Sequence, residues 1–165
     1  MVQNTRLGKG GTFTVEDHEI EVVKRFRYLG KVMNDSNDET EEIWARILAD
    51  NKAYSSLQTI FRSKQIHRNN KIRLHKILIK SILCYGSVTW TLTQKAEQML
   101  STFERKILRR IYGPKLEWGY WRPRLNSELY SLYNEPNIME DIKIRRLGWA
   151  RHVIRMEEER IPKKV

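Results

Sequence analysis

The chain has 165 residues and a formal charge of +11, enough length for one domain, or one domain with an arm, around a real helical core. Its single cysteine, Cys84, excludes an internal disulfide framework and the usual thiol-rich zinc sites, and weakly favours a reducing compartment. His18, His67, His75 and His152 show no ligand spacing, no window approaches the roughly 18 apolar residues of a membrane span, and the first eleven residues lack the apolar run of a signal peptide.

The charge is uneven. Residues 1–60 carry 8 Lys and Arg against 10 Asp and Glu, a net of −2; residues 61–165 carry 23 against 10, a net of +13. That asymmetry points the second part toward a polyanion. It equally suits a basic helical protein whose charged faces are simply solvated.

In chain order, residues 1–11, with Gly8, Gly10 and Gly11, read as a loose start. Thr12–Val15 and Glu19–Val23 read as two short strands around a Glu-Asp-His turn, a half-buried hairpin carrying Ile20, Val22, Val23 and Phe26. Phe26 to Gly30 continues as a third extended piece, ending at a glycine that can turn the chain.

Ser36 with Glu39 three residues on forms a capping box. The first helix then runs to about Phe61, with Ile43, Ile47, Tyr54, Leu57 and Phe61 on one face and Trp44 and Leu48 widening it; Asp50 interrupts the stripe. Asp38, Glu39, Glu41 and Glu42 raise the thought of a Mg²⁺ site. Acids in a first helical turn are better explained by the helix dipole, at about 0.3–1 kcal/mol each.

After a basic connector, residues 62–68, a second helix spans about Asn69 to Tyr85. At about 100° per residue its Ile and Leu side chains cover most of the cylinder, so it should be buried on several sides. Only Asn69, Arg73, Lys76 and Lys80, spaced four, three and four, leave a polar seam open to something anionic. Gly86 can end this helix, and residues 88–92 read as extended or as a tight loop.

Thr93 caps a third helix, Gln94 to Tyr112, stopped by Gly113-Pro114. Ala96, Leu100, Phe103, Ile107 and Ile111 make its apolar stripe; Gln98, Thr102, Arg105 and Arg109 lie opposite, with Lys106 and Arg110 on the flank. The loop from Lys115 to Leu125 interleaves Trp118, Tyr120 and Trp121 with Arg122 and Arg124. It suits stacking on bases, or a loop folded back with its tryptophans buried, which is the reading preferred here. Asn126 caps a short helix to Tyr133, broken by Pro136; Asn137 and Glu140 form a second capping box. The last helix runs to about Glu157, with Ile138, Ile142, Trp149, Val153 and Met156 on one face and Arg151 and Arg155 on the other. The ending, Ile161 to Val165, reads as cut from something longer.

The chemistry of an independent enzyme is absent from the pattern. There is no Gly-x-Ser-x-Gly, no P-loop and no Gly-rich dinucleotide turn. Two-metal nucleotidyl transfer needs carboxylates converging on two metals, and the acid runs sit only at a helix start and at Glu157 to Glu159.

Arg25-Phe26-Arg27-Tyr28-Leu29-Gly30 resembles the segment following the palm in reverse transcriptases of non-LTR retrotransposons. Glu41-Glu42-Ile43 with Ala45-Arg46-Ile47 is similar to that family's first thumb helix. Lys71-Ile72-Arg73-Leu74, Leu83-Cys84-Tyr85-Gly86-Ser87 and Thr89-Trp90-Thr91-Leu92 resemble its most recognisable block. Phe103 to Ile111 resembles its next helix, and Arg145-Arg146-Leu147, Trp149, His152-Val153, Arg155-Met156, Arg160 and Pro162-Lys163 its last helix and exit. The resemblance covers roughly residues 20–165 and is strongest to endonuclease–reverse transcriptase polyproteins of insect-type elements. Val88 departs from it where an acid is usual, and Gly148 and Arg151 where a basic residue and a glycine are usual.

The resemblance implies a mainly α fold: a helical thumb bundle of about four to five helices preceded by a short β-hairpin, the end of the palm. It implies a primer-grip end of the palm over 1–31, a thumb over 32–125 and a truncated linker over 126–165. Phe26, Tyr28, Leu29 and Gly30 would be the primer grip, although the three side chains also suit core packing on the first helix. Asn69, Arg73, Lys76 and Lys80, then Arg105, Lys106 and Arg109, would follow an RNA–DNA or DNA duplex backbone without reading sequence, and each equally suits a solvated surface charge. Trp90 and Trp149 read as core anchors.

The implied activity is part of an RNA-directed DNA polymerase that is not catalytic alone, because the paired aspartates of the palm have no equivalent here. No catalytic or metal residue is assigned and no cofactor is expected in this chain; Mg²⁺ belongs to the missing palm. The implied partners are that duplex and the palm, fingers and endonuclease portions of a polyprotein, with no membrane, in an intracellular, nuclear setting. A stand-alone helical nucleic-acid-binding or protein-interaction protein derived from such an element, or an inert relic, is the alternative. An upstream frame with the palm aspartates would favour the first reading and a genuine promoter and start at Met1 the second.

Overall fold

The computed structural model describes residues 11–15, 18–35, 39–158 and 160. The architecture is mainly α, a helical bundle preceded by short antiparallel strand pairs. β1 (Thr12–Val15) pairs with β2 (His18–Glu21), and β3 (Arg25–Tyr28) pairs with β4 (Lys31–Asn34). The expected loose start, most of the turn at 16–17 and the Ser36 cap lie outside the described residues. The third extended piece is therefore one arm of a second hairpin. Its turn is Leu29-Gly30, both at positive φ (48° and 79°), the two-residue geometry whose twist matches the flanking strands. Ile20, Val23 and Phe26 are exposed rather than half-buried; of these strands it is β4 that packs on α1, through the buried Val32.

The first helix comes in two parts, α1 (Thr40–Ser56) and α2 (Gln58–Arg62), with the break at Leu57. Phe61 still reaches the core beside Ile43, Ile47 and Tyr54. Trp44 and Leu48 do not widen that face; both are exposed, since α1 is covered along one stripe only.

The second helix is a rod made of α3 (Arg68–Leu74), a π-helical turn (His75–Ile79) and α4 (Lys80–Leu83). An i→i+5 turn holds an extra residue. Beyond it, the faces no longer follow the α-helical wheel. Ile79 and Leu83 point into the core, while Ile77 and Leu78 are exposed, so the rod is buried on fewer sides than its composition implies. Gly86, at φ 72°, closes the rod, and a 3₁₀ turn (Ser87–Thr89) drops Trp90 into the core at 1% exposure.

α5 (Gln94–Tyr112) matches its expected ends. Thr93 Oγ1 accepts the Ala96 N–H at 3.3 Å, and Gly113 leaves the helix at φ 69°. All five residues of its apolar stripe are buried, each such burial contributing about 1.5–3 kcal/mol for the larger side chains.

The loop that follows is a third hairpin, β5 (Lys115–Glu117) with β6 (Tyr120–Arg122). Then come α6 (Asn126–Tyr133) and α7 (Ile138–Arg155), the latter with the expected Asn137–Glu140 box. At α6, Glu128 accepts the Leu125 N–H, so Asn126 lies inside the first turn and is not the cap.

One apolar cluster joins α1, α2, the rod, α5 and the start of α7; a second, of Leu108, Tyr112, Leu129 and Tyr133, seats α6 on the other flank of α5. Trp149 is no core anchor. It is 45% exposed, and residues 143–152 of α7 all lie on the surface. No helix among the described residues is long and apolar enough to cross a membrane.

Candidate nucleic-acid interface

The β3–β4 hairpin is fastened to the bundle by polar contacts, not by its aromatics. The buried Glu42 carboxylate accepts the Val32 N–H at 2.7 Å and the Arg46 Nε–H at 2.7 Å. Arg46 Nη2 donates to the Gly30 carbonyl at 2.8 Å and its guanidinium lies 4.7 Å above the Tyr85 ring. Tyr85 Oη donates to the Leu29 carbonyl, and Lys31 Nζ donates to Glu39 and to Thr89 Oγ1. Glu41 pairs with Arg25. The acids at the start of α1 thus hold the hairpin; Asp38 lies outside the described residues. With the backbone so fixed, Phe26, Tyr28, Leu29 and Gly30 form an exposed edge, the two rings stacked at 6.4 Å. The alternative of core packing for these side chains is not met.

The seam on the rod divides. Asn69 and Arg73, before the π turn, are exposed. Lys76 is half-buried and pairs with Glu135 at 2.5 Å. Lys80, beyond the π turn, is only 5% exposed and faces inward. Its ammonium donates to the Pro136 carbonyl (2.6 Å) and to Tyr133 Oη (3.3 Å), and pairs with Asp141 (2.7 Å) and Glu104 (3.8 Å). Glu104 in turn accepts the first N–H of α7, from Ile138, at 3.1 Å. Burial holds the Glu104 carboxyl above the usual range, against the pull of that N–H and of Lys80. Lys80 therefore joins α4, α5, α6 and α7 and presents no charge to a ligand.

On α5, Lys106 and Arg109 are exposed and Arg105 half-exposed. Their hydrogen bonds go to neutral groups: Arg105 to Thr102, Lys106 to Asn51, Arg109 to Asn126. Unpaired charge also gathers along the basic connector, residues 62–68. An open cleft of about 650 Å³ between the α2–α3 connection and the C-terminal end of α5 is lined by Arg62, Lys64, Arg68, Asn69 and Arg110, among others. Among the described residues none of these cations, nor Arg73, Lys106 or Arg109, has a carboxylate in ion-pair range, whereas Arg25, Lys31, Arg46, Lys76, Lys80, Lys115 and Arg122 all do. The available signal was the density of basic residues over 62–68 facing a helix end that carries Arg109 and Arg110.

The β5–β6 hairpin contradicts the expectation of buried tryptophans. Trp118 is 93% exposed, and Tyr120 and Trp121 are also exposed. Lys115 and Arg122 each bridge Glu117 and Glu128, which ties the hairpin to α6 and leaves its three rings exposed.

No protein-family model matches the chain, and no solved structure matches it. Over 142 residues it is 24% identical to an uncharacterized transposon-derived protein of Caenorhabditis elegans, a match covering 86% of this chain and 50% of that protein. The chain thus spans about half the length of that relative.

Proposed function

We propose that the chain derives from a transposable element and is the primer-grip, thumb and linker portion of its reverse transcriptase, holding a template–primer duplex by the backbone. The observation that carries this reading is the gathering of Arg62, Lys64, Arg68 and Arg110 around one open cleft beside outer α5, with none of them ion-paired among the described residues. Phosphate contacts of this kind position a duplex without reading its sequence. In an RNA–DNA hybrid the A-like shape leaves little else for a side chain to read. Arg62, Lys64, Arg68, Asn69, Arg73, Arg105, Lys106, Arg109 and Arg110 are the backbone contacts in this reading, and Lys76 and Lys80 are structural. The exposed Phe26, Tyr28 and Leu29 edge is the primer grip. The likeness to a transposon-derived protein supports the origin, and catalysis requires a palm beyond these residues.

The test is fluorescence anisotropy with a labelled RNA–DNA hybrid and a random-sequence DNA duplex. The reading expects both to bind at about 50 mM salt, without sequence preference, and to weaken steeply with salt. A chain that ignores both at that salt is not a thumb that binds on its own.

A further inference from the structure

We propose that the β5–β6 hairpin and the cleft at its base form a separate site for unpaired nucleic acid, in which bases stack on Trp118, Tyr120 and Trp121 and a phosphate meets Arg109 and Arg124. The proposal shares the polyanion partner and Arg109 with the duplex reading, but adds the hairpin rings and Arg124 and takes a different form of the ligand.

The hairpin is built to present rings rather than to bury them. Its turn is Trp118-Gly119, at φ 53° and 83°. A bulky residue in the left-handed region is a conformational outlier that favours glycine, asparagine or aspartate. Trp118 adopts it while nearly all of its surface faces solvent, so burial does not explain the residue at this place. All three rings of the hairpin are exposed; Tyr120 and Trp121, successive in β6, lie on opposite faces, and Trp121 lines the cleft at the hairpin's base. The backbone beneath them is fixed: Arg122 and Lys115 are clamped between Glu117 of the hairpin and Glu128 of α6. Stacking on rings carried by a backbone held in this way costs little ordering.

At the base of the hairpin a cleft of about 380 Å³ is lined by Arg109, Trp121, Arg122 and Arg124, with two prolines and Gly113 between them. Arg122 is neutralised by its glutamates. Among the described residues, the side chain of Arg109 donates to Asn126 Oδ1 at 2.7 Å and that of Arg124 to the Gly113 carbonyl at 3.1 Å. Two guanidinium groups without a carboxylate partner among the described residues therefore line the same cleft as the Trp121 indole. This combination selects an anion carrying a flat ring. Every base offers a π-face to an aromatic platform, but only when it is unpaired, since a duplex hides its base faces in its own stack. Gly113 also borders the basic connector cleft, so a strand leaving a duplex on that face reaches the hairpin directly.

The experiment titrates the intact chain with a fluorescein-labelled twelve-nucleotide oligo(dT) at about 50 mM salt, beside the RNA–DNA hybrid. Trp118→Asn keeps a residue that tolerates the left-handed turn; Tyr120→Ala and Trp121→Ala remove exposed rings. All three keep the far-ultraviolet circular dichroism of the parent. The proposal expects oligo(dT) binding with quenched tryptophan fluorescence. It expects a loss of about tenfold per ring removed, and hybrid affinity within twofold of the parent. Undetectable oligo(dT) binding by the parent overturns it, as does binding that the three variants leave unchanged. Concentration-dependent self-association that vanishes in the variants would also overturn it, making the hairpin a face for a second copy. A parent that binds oligo(dT) in this manner yet ignores the hybrid retains the hairpin site and loses the duplex reading.

Discussion

Lys80 Nζ lies 2.7 Å from Asp141 Oδ2, on the buried side of the rod, although the residue belongs by spacing to a basic seam with Asn69 and Arg73. The π turn between them is the cause. One ammonium there compensates Glu104 and Asp141 and supports the start of α7.

Lys80→Met is thus expected to act on stability rather than on binding. It leaves Glu104 buried without a cation, and removing one partner of a buried pair costs about 3–5 kcal/mol. Urea unfolding measures this. Pairing the change with Glu104→Gln should recover part of the loss. A single-variant loss below about 1 kcal/mol would mean that the pair carries little.

Asp50 and His75 predict the pH dependence of stability. Asp50 has no hydrogen-bond partner for either carboxylate oxygen among the described residues, and burial pushes its carboxyl up to about 8, with Arg46 pulling the other way. The folded state then holds a proton that the unfolded chain releases near 3.8, so stability falls as pH rises from about 4 toward 8. Glu104, also raised by burial, adds to that slope.

His75 acts in the opposite sense. Burial, and then the charges of Lys80 and Lys76, lower its imidazole to about 3, so the unfolded chain takes up a proton near 6.5 that the folded chain refuses. Stability therefore falls as pH drops from about 6.5 toward 3. The two slopes oppose between about 4 and 6.5, and above that the carboxyl slope stands alone. Asp50→Asn should flatten the decline between pH 6.5 and 8, read as urea midpoints across that range. Equal slopes in parent and variant would show that Asp50 is ionised in the fold.

Gly148 sits inside α7 with nothing within 4 Å of the Cβ it lacks and no positive φ. Gly148→Ala is expected to raise helicity and to stabilise α7 by about 1 kcal/mol. Amide exchange of residues 144–152 should slow by several-fold. Unchanged or faster exchange would show that α7 needs its glycine for a contact or bend.

The parts of this fold legible in the sequence are those where local chemistry and packing agree. α5 has a threonine cap, an unbroken apolar stripe and a Gly-Pro stop, and its ends and buried face are as read. The rod was legible as a helix but not in its faces, because no residue type marks a π turn and every position after it is displaced. The β3–β4 and β5–β6 turns, Leu29-Gly30 and Trp118-Gly119, were missed because bulky residues stand where Asn or Asp usually signals such a turn. The connector cleft is tertiary: Arg62, Lys64 and Arg68 meet Arg110 only when the helices pack, and pairing with carboxylates, invisible in composition, decides which cations remain available.

The salt dependence of hybrid binding tests the duplex account most directly. Each phosphate contact contributes about 0.7–0.9 to the slope of log affinity against log salt. Replacing Arg62, Lys64, Arg68 and Arg110 by alanine should reduce that slope by about three, whereas replacing the ion-paired Arg25 and Lys76 should leave it within about 0.5 of the parent. A four-residue variant that keeps the parent's slope would contradict the claim that the uncompensated cleft lies on the duplex backbone.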